Sequence, residues 1–222
     1  MNSVDPTVWV VVVAAGSGSR FGAAKQFLEL AGERMVDRSV RTAARHSNGV
    51  VVVLPNDRVE DFGAGGDSGG SGRVKAVAGG ASRSESVRNG LAAVPQSATV
   101  VLVHDGARPL TADAVYERVI AAVAGGADAA VPGVDVVDSV RVRGAGALDR
   151  DTLVAVQTPQ GFRASVLRQA HASSPDASDD ATVVEAVGGK VVVVDGDPRN
   201  LKITNPLDFE LARLILADGD IS

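Results

Sequence analysis

The chain contains no cysteine. Disulfides, thiolate catalysis and cysteine-based zinc sites are therefore excluded. Aromatic residues make up only 3%, so stacking platforms for single-stranded nucleic acid are scarce. The net charge is −5, with the acids scattered along the chain. That balance argues against general binding of nucleic acid and leaves room only for local basic pockets. The longest apolar run, Val8–Ala15, is far shorter than the roughly 20 residues of a membrane-spanning helix. No basic segment precedes it and no cleavage-type ending follows, so it does not read as a signal peptide. No membrane association is expected, and the location expected is cytoplasmic. What is abundant is Val, Ala and Leu: 45% of the 222 residues are apolar, enough for one large core. A single domain spanning 1–222 is expected.

Short valine-rich runs read as buried strands at Trp9–Val13, Val50–Leu54, Val100–Val103, Ala129–Val131 and Val191–Val194. They are continuously apolar, as strands are when helices cover both faces of a parallel sheet. Helical stretches fall between them at Met35–Ala44, Ser84–Ala93, Ala112–Ala124, Ala164–Ala170 and Pro206–Leu216. This alternation predicts an α/β fold with an open, mostly parallel sheet, whose ligands bind outside the carboxyl ends of the strands. Gly63–Gly72 reads as an exposed low-complexity loop. In Val134–Val156, polar and apolar residues alternate on both sides of Gly144-Ala145-Gly146, which predicts a two-stranded arm. An isolated hairpin is barely stable in water, so the arm is expected to pack on something, a second subunit being one option.

The first strand runs into GSGSRFGAAKQ. A glycine loop at that place presents backbone N–H groups to phosphate. It is not a dinucleotide fingerprint, because Phe21 stands where the third glycine belongs, and it is not a P-loop, because Lys25 is followed by Gln26. A tight turn that merely needs glycine dihedrals is the plain alternative. Two cations, Arg20 and Lys25, favour a triphosphate site, although each alone reads as a solvated charge.

AAGSGSRF followed by KQF resembles the signature of sugar- and polyol-phosphate nucleotidyltransferases. Four later segments, GGASRSESVRNGL (Gly79–Leu91), VHDGARP (Val103–Pro109), TPQGF (Thr158–Phe162) and NLKITNPLD (Asn200–Asp208), narrow the likeness to the 2-C-methyl-D-erythritol 4-phosphate cytidylyltransferase family. The resemblance runs from about Trp9 to Leu216. It implies a Rossmann-like, mostly parallel sheet flanked by helices, with the arm at about 134–156 used to form a homodimer. It also implies CTP and 2-C-methyl-D-erythritol 4-phosphate as substrates, Mg²⁺ as cofactor and a place in non-mevalonate isoprenoid precursor synthesis.

The implied roles follow the motifs. Arg20 and Lys25 would stabilise charge on the α-phosphate and pyrophosphate, while Ala14, Ala15, Gly16 and Gly18 bring backbone close to the nucleotide. Gly80, Ala81 and Ser86 would select the base, with Ala107 also on the nucleotide; Ala81 stands where many relatives carry an acid. Asp105 would share Mg²⁺ with CTP, and both Asp105 and Arg108 would touch the polyol. Ser139, Arg150, Thr158 and Ser178 would complete the polyol site, and Lys202 would bridge both phosphates. No strong general base is required, because a phosphate monoester dianion is itself a nucleophile at neutral pH; His46 and His171 are expected at the surface. The related ribitol-5-phosphate cytidylyltransferases remain the nearest alternative, differing in the polyol pocket. A nucleotide-binding regulatory protein without catalysis fits less well with Arg20, Lys25, Asp105 and Lys202 present together. Some relatives are fused to the next enzyme of the pathway; the end at Ser222 leads one to expect a single activity.

Overall fold

The structure is a computed structural model that describes residues 5–16, 24–64, 74–173, 176–177 and 179–219. Its elements run in the order β1 (Val8–Val13), β2 (Glu29–Leu30), β3 (Glu33–Arg34), α1 (Met35–Arg45), β4 (Gly49–Leu54), α2 (Val59–Ala64) and β5 (Val74–Ala78). There follow α3 (Arg83–Ala93), β6 (Val100–Asp105), α4 (Asp113–Ala124), β7 (Ala129–Asp135), β8 (Arg141–Val142) and β9 (Gly146–Ala147). The chain closes with β10 (Val154–Val156), β11 (Gln160–Arg163), α5 (Ala164–His171), α6 (Asp180–Ala186), β12 (Val191–Asp195) and α7 (Pro206–Ala217).

The main sheet has the order β10-β7-β11-β6-β1-β4-β5, with β12 also pairing β7. β1 is parallel to both β4 and β6, β4 to β5, and β12 to β7. β11 is antiparallel to β6 and β7, and β10 to β7. The expected mostly parallel sheet is found. Its three central strands are valine-rich and buried on both faces. Val11, Val51, Val53, Val101 and Val103 enter one core together with Val87 of α3 and Leu167 of α5. Val10, Val12, Val50, Val52 and Leu102 enter the other, under Val36 and Val40 of α1 and Tyr116 of α4. Side chains of successive strand residues point to opposite faces, so an unbroken apolar run is what two helical layers require.

Every expected strand and helix of the sheet layer is present, with boundaries shifted by a few residues. The Gly63–Gly72 stretch lies mostly outside the described residues, with only the end of α2 reaching into it. The arm consists of the outer part of β7 paired with β10, and beyond it the small β8–β9 hairpin that turns at 143–145. Two histidines depart from expectation. His171 is 4% exposed and its Nε2 lies 3.1 Å from Asp180 Oδ1. The His46 ring stacks on Tyr116, 5.1 Å between centroids, with Nε2 2.8 Å from Asp113 Oδ1. Both rings face inward because each finds an acid on a neighbouring helix, a pairing that helical position alone does not reveal.

Glycine sets how closely α3 approaches the sheet. A Cβ on Gly90 would stand 2.4 Å from Val11 Cγ1 and 2.9 Å from Val53 Cγ2. Alanine is the better helix former by about 1 kcal/mol, but overpacking a dense core costs about 1–3 kcal/mol. Gly90→Ala is therefore expected to lower stability by about 1 kcal/mol, and by no more than about 2, in denaturant unfolding; raised stability would show that α3 can shift.

Candidate active site

A cleft of about 550 Å³ lies at the carboxyl ends of the central strands. Ala14, Ala15, Gly16 and Lys25 reach it from the segment after β1, and Gly80, Ala81, Arg83 and Ser86 from the turn into α3. Asp105 and Ala107 come from the end of β6, and Lys202 from the segment after β12. Gly18, Arg20 and Ser178 lie outside the described residues.

Each of these segments is held by bonds within the protein. The buried carboxamide of Gln26 donates to Ala14 O and Gly16 O, both at 2.9 Å, tying down the start of the glycine loop. Ser82 caps α3, its hydroxyl accepting from Glu85 N at 3.1 Å, while Glu85 Oε2 accepts from Ala81 N at 2.6 Å. Ser86 Oγ accepts from Gly80 N at 3.0 Å and donates to Ser82 O at 2.9 Å. A Cβ on Gly80 would lie 2.2 Å from Glu85 Cγ, so this turn closes only around glycine.

The last residue of β6 is the electrostatic centre. Asp105 is 9% exposed, and its Oδ2 lies 2.7 Å from Lys202 Nζ. Arg83 Nε is 3.9 Å from Asp105 Oδ1, and the same guanidinium lies 2.8 Å from Asp180 Oδ2. Asp180 in turn meets His171, so a chain of polar contacts runs from the cleft into the α5–α6 layer. Burial alone would raise the Asp105 carboxyl; the Lys202, Arg83 and Arg108 charges outweigh it and hold the group below its usual range. Asp105 is thus ionised at neutral pH.

Behind Asp105, Thr158 is 5% exposed, and its hydroxyl accepts from Asp105 N at 3.0 Å. The same oxygen is 3.1 Å from His104 Nδ1. Burial holds the His104 imidazole down at about 4, against the pull of Asp105, so the ring is neutral at physiological pH. Arg108 Nη1 donates to Asn200 O at 2.6 Å. Arg108 and Thr158 therefore brace the cleft from behind. Ser139 and Arg150 are exposed on the arm, where Arg150 Nη1 donates to Val137 O at 2.7 Å. Arg150 borders a second hollow formed with Asp135, Val137 and Leu153, separate from the cleft in the single chain.

Neither Gln26 nor Arg83 is recognisable from the sequence as a site residue. Gln26 stands beside Lys25 in the KQF segment and Arg83 sits in GGASRSES, but a polar residue near a helix start ordinarily reads as solvated. Arg83 is the counter-charge of Asp180, whose side chain is 1% exposed. Removing one partner of a buried pair leaves an uncompensated charge. Arg83→Met is expected to cost about 3 kcal/mol in denaturant unfolding, and a loss below about 1 kcal/mol would place Asp180 in water or on His171 alone.

Residues 8–218 match the family model described as IspD, 2-C-methyl-D-erythritol 4-phosphate cytidylyltransferase. A protein of that name from Saccharopolyspora erythraea is 45% identical over 226 residues, covering 95% of this chain and 100% of the relative. A bifunctional IspD/IspF enzyme from Anaeromyxobacter dehalogenans is 44% identical over 220 residues, covering 93% of this chain. The chain spans 56% of that relative's length. Among solved structures, the 2-C-methyl-D-erythritol 4-phosphate cytidylyltransferase of Thermus thermophilus aligns with a TM-score of 0.77 at 33% identity, covering 96% of this chain and 99% of that one. The 4-diphosphocytidyl-2C-methyl-D-erythritol synthase of Anaerococcus prevotii aligns with a TM-score of 0.82 at 25% identity, covering 96% and 99%. With the parallel sheet, the glycine-lined cleft and the sequence match in agreement, the chain belongs to the IspD family of 2-C-methyl-D-erythritol 4-phosphate cytidylyltransferases.

Proposed function

We propose that this chain transfers CMP from CTP to 2-C-methyl-D-erythritol 4-phosphate, giving 4-diphosphocytidyl-2-C-methyl-D-erythritol and pyrophosphate. The observation that carries this reading is Lys202 Nζ at 2.7 Å from the Asp105 carboxylate, in a cleft edged by the glycine-loop residues and Lys25. In the reaction a phosphate oxygen of the polyol attacks the α-phosphorus, and the bond from that phosphorus to the β-phosphate bridge breaks. Both reactants are anions, so what the site must supply is positive charge and in-line alignment. Lys25 and Arg20 serve the triphosphate, and Lys202 serves the α-phosphate and the incoming phosphate.

Cytosine selection follows from the turn into α3. The N–H groups of Gly80 and Ala81 are both committed to side chains of the same turn. What those two backbone units retain is carbonyl acceptors, which suit the amino donor of cytosine and disfavour the O4 of uracil. This contact needs no side chain at Ala81.

Asp105 suits Mg²⁺. It is an ionised carboxylate at the cleft, and among the described residues no group of three or more His, Cys, Asp or Glu side chains gathers to hold a metal alone. Mg²⁺ is commonly held by one or two carboxylates together with substrate phosphates. A bound ion would neutralise part of the triphosphate charge.

Arg150 and Ser139 reach the polyol phosphate of a second copy, the arm forming the dimer contact. Support comes from the apolar side chains that the arm exposes, Val137 at 78%, Val142 at 46% and Leu148 at 44%. The aqueous cellular compartment is the setting of this reaction, and no helix among the described residues is long and apolar enough to cross a membrane.

Pyrophosphate release, measured with CTP, UTP or ATP against methylerythritol phosphate and ribitol phosphate, tests the assignment. Release is expected only with CTP and methylerythritol phosphate; turnover with ribitol phosphate alone would reassign the polyol. Lys202→Met is expected to lower kcat by about 10²-fold or more. Mixing inactive Lys202→Met and Arg150→Ala proteins under exchanging conditions should restore roughly a quarter of wild-type activity, because mixed dimers then hold one intact site. No recovery would contradict the shared site.

A further inference from the structure

Asn200 is 0% exposed, yet none of its polar groups lacks a partner. Its backbone N–H donates to Asp197 O at 2.9 Å and its carbonyl accepts from Arg108 Nη1 at 2.6 Å. Its Nδ2 donates to Thr158 O at 2.9 Å and to Gln157 Oε1 at 3.3 Å. Its Oδ1 is the nearer of two acceptors for the single Thr111 hydroxyl proton, at 2.8 Å, the other being Arg108 O at 3.1 Å. One side chain thus joins three segments remote in sequence: the loop after β6, the link between β10 and β11, and the segment after β12.

Both members of the Lys202–Asp105 pair hang from this junction. Thr158, whose carbonyl Asn200 holds, receives Asp105 N on its hydroxyl at 3.0 Å. Lys202 follows Asn200 by two residues, and its neighbour Ile203 donates its N–H to Ala107 O at 2.9 Å. The amide suits this place, because the same side chain donates towards Thr158 O and offers an acceptor to Thr111 Oγ1. A carboxylate has no proton for Thr158, and an apolar residue would leave buried groups unsatisfied.

We propose that Asn200 is a positioning residue: it sets the register between Lys202 and Asp105, and so governs the transfer step more than CTP affinity. The proposal rests on the cytidylyl-transfer reading for its kinetic consequence, not for its structural one. The backbone of the base-selecting turn at Gly80–Ser86 is held by its own bonds and meets this junction only through the longer Arg83–Asp105 contact at 3.9 Å. Misplacing a reacting group by about 1 Å costs on the order of 100-fold in rate.

The test uses Asn200→Asp, which keeps the shape and removes the donor, with Thr111→Val and Thr111→Ser as a milder pair. Asn200→Asp is expected to lower kcat by about 100-fold while the KM for CTP stays within about threefold. Thr111→Val should lower kcat by about tenfold, and Thr111→Ser should restore it. Amide hydrogen exchange gives the second readout. The Ile203 and Asp105 amides should exchange faster in Asn200→Asp and Thr111→Val, while those of β1 and β4 stay unchanged. If Asn200→Asp does not fold, the Thr111 pair decides. A folded Asn200→Asp protein with kcat within about threefold of wild type, equal behaviour of the two Thr111 variants, or lost activity with unaltered exchange at Ile203 and Asp105 would each overturn the proposal. If the wild-type chain releases no pyrophosphate, the transfer reading fails, and exchange alone decides the role of Asn200.

Discussion

The contact between Lys202 Nζ and Asp105 Oδ2, at 2.7 Å, is the constraint on which the rest of the site depends. A carboxylate 9% exposed at the end of a central strand would not stay ionised without nearby cations. Lys202 and Arg83 supply them from different parts of the chain, and Asp180, the counter-charge of Arg83, carries the contacts on to His171 in the α5–α6 layer. In the proposed reaction, substrate phosphates would meet a site already charged and already ordered. Such preorganisation is most effective where charge develops in the transition state.

The sheet makes this possible. Parallel strands end together, so the segments after β1, β4, β5 and β6 converge on one edge of the fold. Small residues then allow close approach. A Cβ on Gly79 would stand 2.3 Å from Ala15 Cβ, and one on Gly106 would stand 2.9 Å from Ala14 Cβ. The tight cleft and the continuously apolar strands therefore answer the same demand: the backbone must come close on all sides without leaving polar groups stranded.

The central strands were legible in sequence because β1, β4 and β6 are continuous valine runs, and the helices between them carry their own period. β5 and β11 were not, since VKAVA and QGFR mix polar, small and apolar residues; β5 is a strand because it adds to the sheet edge beside β4, and β11 because it fills the place between β6 and β7. The glycine loop, Asp105 and Lys202 were legible as motifs. The burial of His171 and half-burial of His46 were not, because each depends on an acid brought in by a neighbouring helix. Gln26, Arg83 and Asn200 escaped for the same reason: each acts through partners that only the fold brings near. Arg150 could be named but not placed, because the groove it serves in the proposed dimer involves a second copy.

The central claim is that the phosphate oxygen of the polyol attacks the α-phosphorus within this cleft. It is tested most directly with methylerythritol phosphate carrying ¹⁸O in its phosphate group, following the label by ³¹P NMR. The account predicts ¹⁸O in the P–O–P bridge of the diphosphocytidyl product and unlabelled pyrophosphate. Label in the released pyrophosphate, or a product whose bridge carries none, would contradict it.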